Sequence, residues 1–178
     1  MPRARPDFSP KSSTYCYSTY FSSITDPHTF SSMGFSVLLK DLDMWTGEVS
    51  EGQQEVTYQL RVTLFDRRHQ QFFGKTWKSL AQRMKNNKIT FNEVLYFHTL
   101  LRVSSTLAVV ELVALSLRPD GSQHALGRGF SVLELFSDRP EAPAADGDRR
   151  LNLHHGSPRS LLHPLLKDTT DCKHPGSI

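Results

Sequence analysis

The clearest pattern in the chain is an alternation of apolar and polar residues between positions 55 and 66. The apolar residues share one parity, at Val56, Tyr58, Leu60, Val62 and Leu64. Polar residues occupy the other parity, at Thr57, Gln59, Arg61 and Thr63. Because successive side chains of a β-strand point to opposite faces, this pattern predicts a strand with one buried and one solvated face.

Similar patterns elsewhere predict six or seven strands in total, separated by turns. The first begins at Gly34 and alternates through Phe35, Val37 and Leu39, and the next after 55–66 is 71–77, where Gly74 is expected to mark a bulge. The remaining strands are expected at 88–98, 106–117 and 123–136, with a short edge strand at Leu151 and Leu153.

Two of these strands carry specific expectations. The run Phe91-Asn92-Glu93-Val94-Leu95-Tyr96-Phe97 is rich in large, aromatic and β-branched residues, so it predicts a central strand around which the others pack. Residues 106–117 are apolar at both parities except for Glu111, which predicts a strand covered on both faces.

The connecting segments contain turn and cap signals. Residues 79–87 are basic and could form one helical turn, whereas 118–122 contain Pro, Asp and Gly in an order that predicts a hairpin turn. Gly127-Arg128-Gly129 lacks the third glycine of a dinucleotide-binding loop, so a turn is expected there. Residues 46–54 and 137–148 are expected to be loops.

The predicted fold is an antiparallel β-sandwich at residues 34–155. Residues 1–33 are rich in Ser, Thr and Tyr without a regular period, and they are expected to form a disordered tail. A short helix is expected at 156–166, with Ser157 as its cap and Pro158 in its first position. Residues 167–178 are expected to be unstructured.

The net charge of +3 is unevenly distributed along the chain. Seven Lys or Arg and no Asp or Glu lie between positions 67 and 88; we call these seven residues the basic stripe: Arg67, Arg68, Lys75, Lys78, Arg83, Lys85 and Lys88. The stripe is either a solvated face or a surface for an anionic lipid or acidic partner. The aromatics between its residues, Phe72, Phe73 and Trp77, also occur in sites for single-stranded nucleic acid, but we assign them to the core.

Other candidate chemistry is sparse. Cys16 and Cys172 lie in the two predicted tails, so neither a disulfide framework nor a metal set is expected, and a reducing, cytoplasmic setting is favoured. His154, His155 and His163 lack thiolate or carboxylate neighbours at ligand spacing, so surface or capping roles are expected rather than a metal site. No secretory signal, catalytic constellation or cofactor motif is recognised, and a non-enzymatic protein is predicted.

The order of these segments resembles a C2 domain, in which an aromatic-Asn-Glu strand and a later glycine leading into an apolar strand recur. Three longer runs, within 71–78, 91–99 and 155–166, resemble the amino-terminal region of the nephrocystin-4 family. The resemblance covers about residues 35–168. Proteins of that family are far longer, so a fragment or a short isoform is expected.

The resemblance implies a C2-like β-sandwich that acts as a scaffold of the ciliary transition zone and basal body. It further implies nephrocystin-1 and the retinitis pigmentosa GTPase regulator interacting proteins as partners, with effects on Wnt and Hippo signalling. Calcium binding is not expected, because Asp66 and Asp120 stand beside arginines instead of in aspartate clusters. The alternative is a calcium-independent membrane module that binds phosphoinositides through the basic stripe. Physical reasoning alone leaves the sheet faces, the stripe or a free edge strand as binding surfaces.

Overall fold

The protein is a sandwich of two four-stranded antiparallel sheets. The computed structural model describes residues 16–24, 33–43, 56–101, 103–139, 142–161 and 163–167. Eight strands lie in these ranges: β1 (Cys16–Ile24), β2 (Met33–Asp43), β3 (Thr57–Asp66), β4 (Gln71–Lys78), β5 (Lys88–Thr99), β6 (Thr106–Leu117), β7 (Gln123–Glu134) and β8 (Gly147–Asn152).

The first sheet has the strand order β5-β2-β1-β8 and the second has the order β4-β3-β6-β7. The apolar parity of β3 faces the first sheet, so that Leu60 and its neighbours pack with Phe35 and Leu39 of β2 in one core. Phe35 also makes an edge-to-face contact with Phe136 after β7, at a centroid distance of 5.5 Å. The predicted mainly β sandwich is therefore confirmed.

β6 is buried on both faces, as the sequence predicts. One parity joins the core between the sheets, while Leu107 and Val109 join a second cluster with Phe65 and Phe130. The fully buried Leu166 covers this second cluster. The residues that follow β8 therefore pack on the outer face of the second sheet.

The prediction of a disordered tail at 1–33 is wrong for β1. This strand pairs with β2 on one side and with β8 on the other, so backbone hydrogen bonds on both edges compensate for its weakly apolar composition. Residues 1–15 and 25–32 lie outside the described residues, as do 44–55 and 168–178, which include the predicted 46–54 loop and nearly all of the predicted C-terminal tail.

The prediction that 88–98 is a central strand is also wrong. β5 lies at the edge of the first sheet and pairs there only with β2 among the described strands. Its inward residues Ile89, Phe91 and Leu95 are buried, but Val94 and Tyr96 are exposed on its other face. The large residues that suggested a central position thus include two that solvent reaches.

Three local predictions are corrected by the backbone. Residues 79–87 form no helical turn, because Gln82 continues the pairing of β4 by exchanging backbone hydrogen bonds with Tyr58. Gly127-Arg128-Gly129 is a bulge inside β7, where the register with β6 shifts. In place of one helix at 156–166, the chain forms two single-turn 3₁₀ helices, Pro158–Ser160 and Pro164–Leu166.

Several turn and cap predictions are confirmed. Gly74 has φ +72° at a shift in the β3–β4 register, which is the expected bulge. Asp120 Oδ1 accepts hydrogen bonds from Ser122 in the β6–β7 turn. Ser157 caps the first 3₁₀ helix, with Pro158 in its opening turn. β8 is the expected edge strand, although the loop before it ends at Asp146 instead of Asp148.

Candidate functional site

A groove of about 510 Å³ lies between the two sheets on one side of the sandwich. Its two banks are β4 and β5, each of which is the outermost strand at the end of its sheet. The lining residues come from β3, β4 and β5: Val62, Leu64, Gly74, Lys75, Thr76, Trp77, Leu95, Tyr96, Phe97 and His98.

The groove is apolar at its base and partly polar at its rim. Val62, Leu64 and Leu95 are buried core residues, so the base of the groove is the core itself. Trp77 and Phe97 are partly buried and pack against that core from opposite banks. Tyr96, which contributes to the rim, is 70% exposed. A concave apolar surface of this kind suits the insertion of side chains from another chain.

Among the described strands, β5 pairs on one edge only, with β2; we call its other edge the free edge, and the strand is regular over most of its length. From Glu93 to Thr99 the strand pairs with β2 residue for residue, and the single register shift lies before this segment, beside Asn92 with φ +49°. Edge strands are usually protected by lysine, proline or a bulge. The segment 93–99 contains none of these, whereas β4 carries both the Gly74 bulge and two lysines on its own edge.

The opposite side of the sandwich is closed by contacts between β7 and the residues around β8. Phe130 and His154 exchange two backbone hydrogen bonds, of 2.9 and 2.7 Å, and the Ser131 hydroxyl donates to the Asn152 carbonyl at 2.6 Å. Gly129 permits this close approach, because a Cβ atom there would lie 2.6 Å from the His154 carbonyl oxygen. The groove between β4 and β5 therefore marks the open side of the sandwich.

The structure divides the basic stripe into two groups. Arg67 and Arg68 lie in the turn before β4, whereas Lys78 ends that strand, roughly 20 Å or more away at the usual rise per residue. Arg67 is also engaged, since its Nε donates to the Leu165 carbonyl at 3.0 Å. The remaining stripe residues follow β4 and the connection to β5: Lys75, Lys78, Arg83, Lys85 and Lys88.

A tight turn places the last two of these lysines side by side. Lys85 and Lys88 exchange backbone hydrogen bonds across Asn86 and Asn87, which have φ values of +51° and +59°. Asparagine tolerates this left-handed conformation better than most residues. Lys88 also forms an ion pair of 2.8 Å with Asp41, and that hydrogen bond and charge raise the pKa of Lys88. Of the seven stripe residues, only Lys75 is among the described residues that line the groove.

Asp66 and His163 both form hydrogen bonds with other residues of the fold. Burial raises the pKa of Asp66, but hydrogen bonds from His69, Ser105 and the Arg68 and His69 amides outweigh it, so that the pKa is lowered. His163 accepts a hydrogen bond from the Leu165 amide at 3.3 Å, which is a capping role. Within the described part of the chain, no group of three His, Cys, Asp or Glu residues is placed to hold a metal ion.

The aromatic residues of β4 take the core positions that the sequence predicts. Phe73 and Trp77 pack against the core between the sheets, and Phe72 packs against the outer cluster. The groove beside Trp77 could not be found from sequence, because its banks belong to different sheets. The sequence of 93–99 did not indicate it either, because the exposed residues Val94 and Tyr96 are as large as the buried Leu95.

The chain is similar in sequence to known proteins. No family model matches it. It is 45% identical over 145 residues to human nephrocystin-4 and 46% identical over 128 residues to nephrocystin-4 of Xenopus laevis. The chain is homologous to part of nephrocystin-4. These alignments cover 79% and 69% of the chain, but the chain spans only about a tenth of the length of either relative.

A solved structure supports the fold assignment. A C2 domain of RIM from Drosophila superposes with a TM-score of 0.51 at 12% identity, covering 79% of this chain and 98% of that domain. At this identity the similarity concerns the fold alone, and the fold is a C2-like β-sandwich. No helix in the described residues is long and apolar enough to cross a membrane.

Proposed function

We propose that this chain is a non-enzymatic interaction module of a nephrocystin-4-like scaffold, which binds other proteins through the open side of its sandwich. The homology to nephrocystin-4 and the C2-like fold fit such a module. The observation that carries the proposal is the apolar groove beside the regular edge of β5, which no other described strand pairs with. An uncovered sheet edge offers backbone hydrogen bonds, and an adjoining apolar groove offers side-chain burial, so together they suit protein recognition.

The proposed setting is the ciliary transition zone and basal body, where a nephrocystin-4-like scaffold would organise other proteins. Nephrocystin-1 and the retinitis pigmentosa GTPase regulator interacting proteins are the proposed partners, with Wnt and Hippo signalling as affected pathways. These assignments rest on the relationship to nephrocystin-4. The groove supplies a surface on which a partner from this set would be held.

Affinity capture from ciliated cells tests the proposal. The whole 178-residue chain is compared with a groove-side double variant, Lys75→Glu with Lys78→Glu, and with a matched double variant, Arg118→Glu with Arg128→Glu. All four positions are exposed, but Arg118 and Arg128 lie in the β6–β7 turn and in β7, away from the open side. The two variants therefore change net charge equally and differ only in the surface they alter.

The proposal predicts that the wild type and the matched variant recover the proposed partners while the groove-side variant recovers less. Phosphoinositide vesicles are tested beside the cell extract. A different result would favour the lipid-binding alternative: no partner is recovered, and the wild type binds vesicles in a salt-sensitive way that the groove-side variant loses. If no form of the chain recovers the partners or binds vesicles, both the proposal and the lipid-binding alternative are wrong.

A further inference from the structure

We infer that residues 163–167, which we call the latch, are held on the outer face of the second sheet by neutral histidines and are released from it in mild acid. This conformational switch is independent of the groove between β4 and β5, since no latch residue is among the described residues that line the groove. Release would expose the outer cluster that Leu166 covers.

The latch is held by one buried side chain and two backbone carbonyls. Leu166 is fully buried in the outer cluster. Arg67 Nε donates to the Leu165 carbonyl at 3.0 Å, and the side-chain amide of Gln70 donates to the Leu166 carbonyl. The strand pairings of the second sheet include no latch residue, so the latch can leave without breaking them.

His163 positions the latch through an acceptor that only a neutral imidazole has. Its Nδ1 accepts a hydrogen bond from the Leu165 amide at 3.3 Å, which caps the 3₁₀ helix Pro164–Leu166. In an imidazolium ion both ring nitrogens carry a proton and neither can accept a hydrogen bond. Protonation of His163 therefore removes the cap and loosens the turn that directs Leu166 into the cluster.

A second histidine makes this protonation more costly while the latch is docked. The ring centroids of His154 and His163 are 5.0 Å apart, and both rings pack on Phe130, at 5.9 and 5.0 Å respectively. Burial, followed by the nearby His163 and His155, lowers the pKa of His154. Two imidazolium ions at this spacing would repel each other. Since backbone hydrogen bonds hold His154 on Phe130, departure of the latch would separate the two rings.

The charged groups around the two rings do not compensate for a further cation. The cleft of about 290 Å³ beside His154 is lined by four charged residues, of which one is acidic: Arg67, Glu134, Arg149 and Arg150. Glu111, which pairs in register with Phe130, already forms an ion pair of 2.9 Å with Arg159. The described surroundings thus offer no excess of negative charge to stabilise an imidazolium ion.

The test is an NMR titration of the full chain, with leucine methyl groups labelled with ¹³C and a soluble gadolinium chelate that speeds the relaxation of accessible methyls. Leu166 reports the latch, and the fully buried Leu112 of the core between the sheets reports unfolding of the sandwich. The range is about pH 7.5 to 5.5, which spans the ordinary histidine pKa.

Two substitutions remove the titrating groups. His163→Asn keeps a side-chain oxygen that can cap the 3₁₀ helix, and His154→Phe keeps a ring against Phe130. They are compared singly and together with the wild type.

In the wild type, the released fraction should rise by up to about tenfold per pH unit below about pH 6.5 for each proton taken up on release. The relaxation of the Leu166 methyls should increase with it, while that of Leu112 stays unchanged. Each single variant should show a smaller increase. The double variant should keep the relaxation that it has near neutral pH throughout the titration.

Three results would overturn the inference. The first is relaxation at Leu166 that does not change across the titration. The second is a parallel increase at Leu166 and Leu112, which would mean that the whole sandwich unfolds. The third is an undiminished increase in the double variant, which would assign the switch to other groups. If the double variant is already released near neutral pH, the single variants decide, and an undiminished increase in both has the same meaning.

Discussion

Arg159 and Glu111 form an ion pair in which Nη2 donates to Oε2 at 2.9 Å, although the residues are 48 positions apart. The same Arg159 nitrogen donates to Thr63 Oγ1 at 3.1 Å, and its guanidinium carbon lies 4.0 Å from the centre of the Phe72 ring. One side chain thus contacts β3, β4 and β6. It fixes the segment after β8 to the outer face of the second sheet.

Replacing Arg159 by methionine should lower the free energy of unfolding by about 1 to 2 kcal/mol, because Glu111 loses its partner in a largely buried position and Phe72 loses a cation–π contact. Urea denaturation measures the change. Arg150→Met, at an exposed position of β8, is the control and should cost less than about 0.5 kcal/mol. Equal effects at both positions would show that the guanidinium does not anchor the segment.

Two adjacent leucines test whether this segment completes a core. Leu166 is fully buried in the outer cluster, whereas Leu165 is 37% exposed and contributes its carbonyl instead. Leu166→Ala should cost about 2 to 4 kcal/mol, and Leu165→Ala under about 1 kcal/mol. The comparison is made by thermal and urea unfolding. A Leu166→Ala variant as stable as Leu165→Ala would mean that the outer cluster contributes little.

Two glycines of the β7 bulge differ in the space around them. A Cβ atom at Gly129 would meet the His154 carbonyl oxygen at 2.6 Å, and φ there is +145°, whereas Gly127 has nothing within 4 Å. Gly129→Ala should therefore cost about 2 kcal/mol or more through strain and displacement of the β7–His154 contact. Gly127→Ala should cost under about 1 kcal/mol. Similar unfolding midpoints for the two variants would show that the close contact between β7 and His154 does not contribute to stability.

His154 should make the fold sensitive to mild acid. Burial, followed by the nearby His163 and His155, lowers its pKa below the ordinary value of 6.5. The unfolded chain then binds a proton more readily than the folded chain, so stability should be constant above about pH 6.5 and should fall as the pH drops below it, until the lowered pKa is passed.

The measurement is the free energy of unfolding between pH 4.5 and 8, a range set by the ordinary histidine pKa of about 6.5. His154→Gln should flatten the fall below about pH 6.5. The lowered pKa of Asp66 adds a separate loss of stability in more acidic solution, below its ordinary value of 3.8. A wild-type profile that is flat between pH 5 and 7 would contradict the histidine assignment.

Local chemistry was sufficient to predict the parts of the fold that depend on it. The parity of residues 56–64 identified the buried face of β3, and the two-sided apolar pattern identified β6. The Gly74 bulge and the turn before Ser122 followed from residues that favour such backbone conformations. In each case a few neighbouring residues determine the result.

The sequence did not predict features that depend on how the strands assemble into sheets. β1 contains few strongly apolar residues and forms because β2 and β8 both offer hydrogen-bonding edges. β5 has the composition of a central strand, yet its place at an edge follows from the order in which β2 and β1 pair. The groove arises only where β4 and β5 of different sheets come together, so no local pattern encodes it.

Site-specific photo-crosslinking from the groove tests the central claim most directly. A benzophenone amino acid replaces the 70% exposed Tyr96 in the full chain, and a control carries it at the 48% exposed Leu126 on β7. Both forms are irradiated in ciliated cells. The account predicts that position 96, and not position 126, crosslinks to nephrocystin-1 or to a retinitis pigmentosa GTPase regulator interacting protein. The same partners from both positions, or none from position 96, would contradict a binding site on the open side of the sandwich.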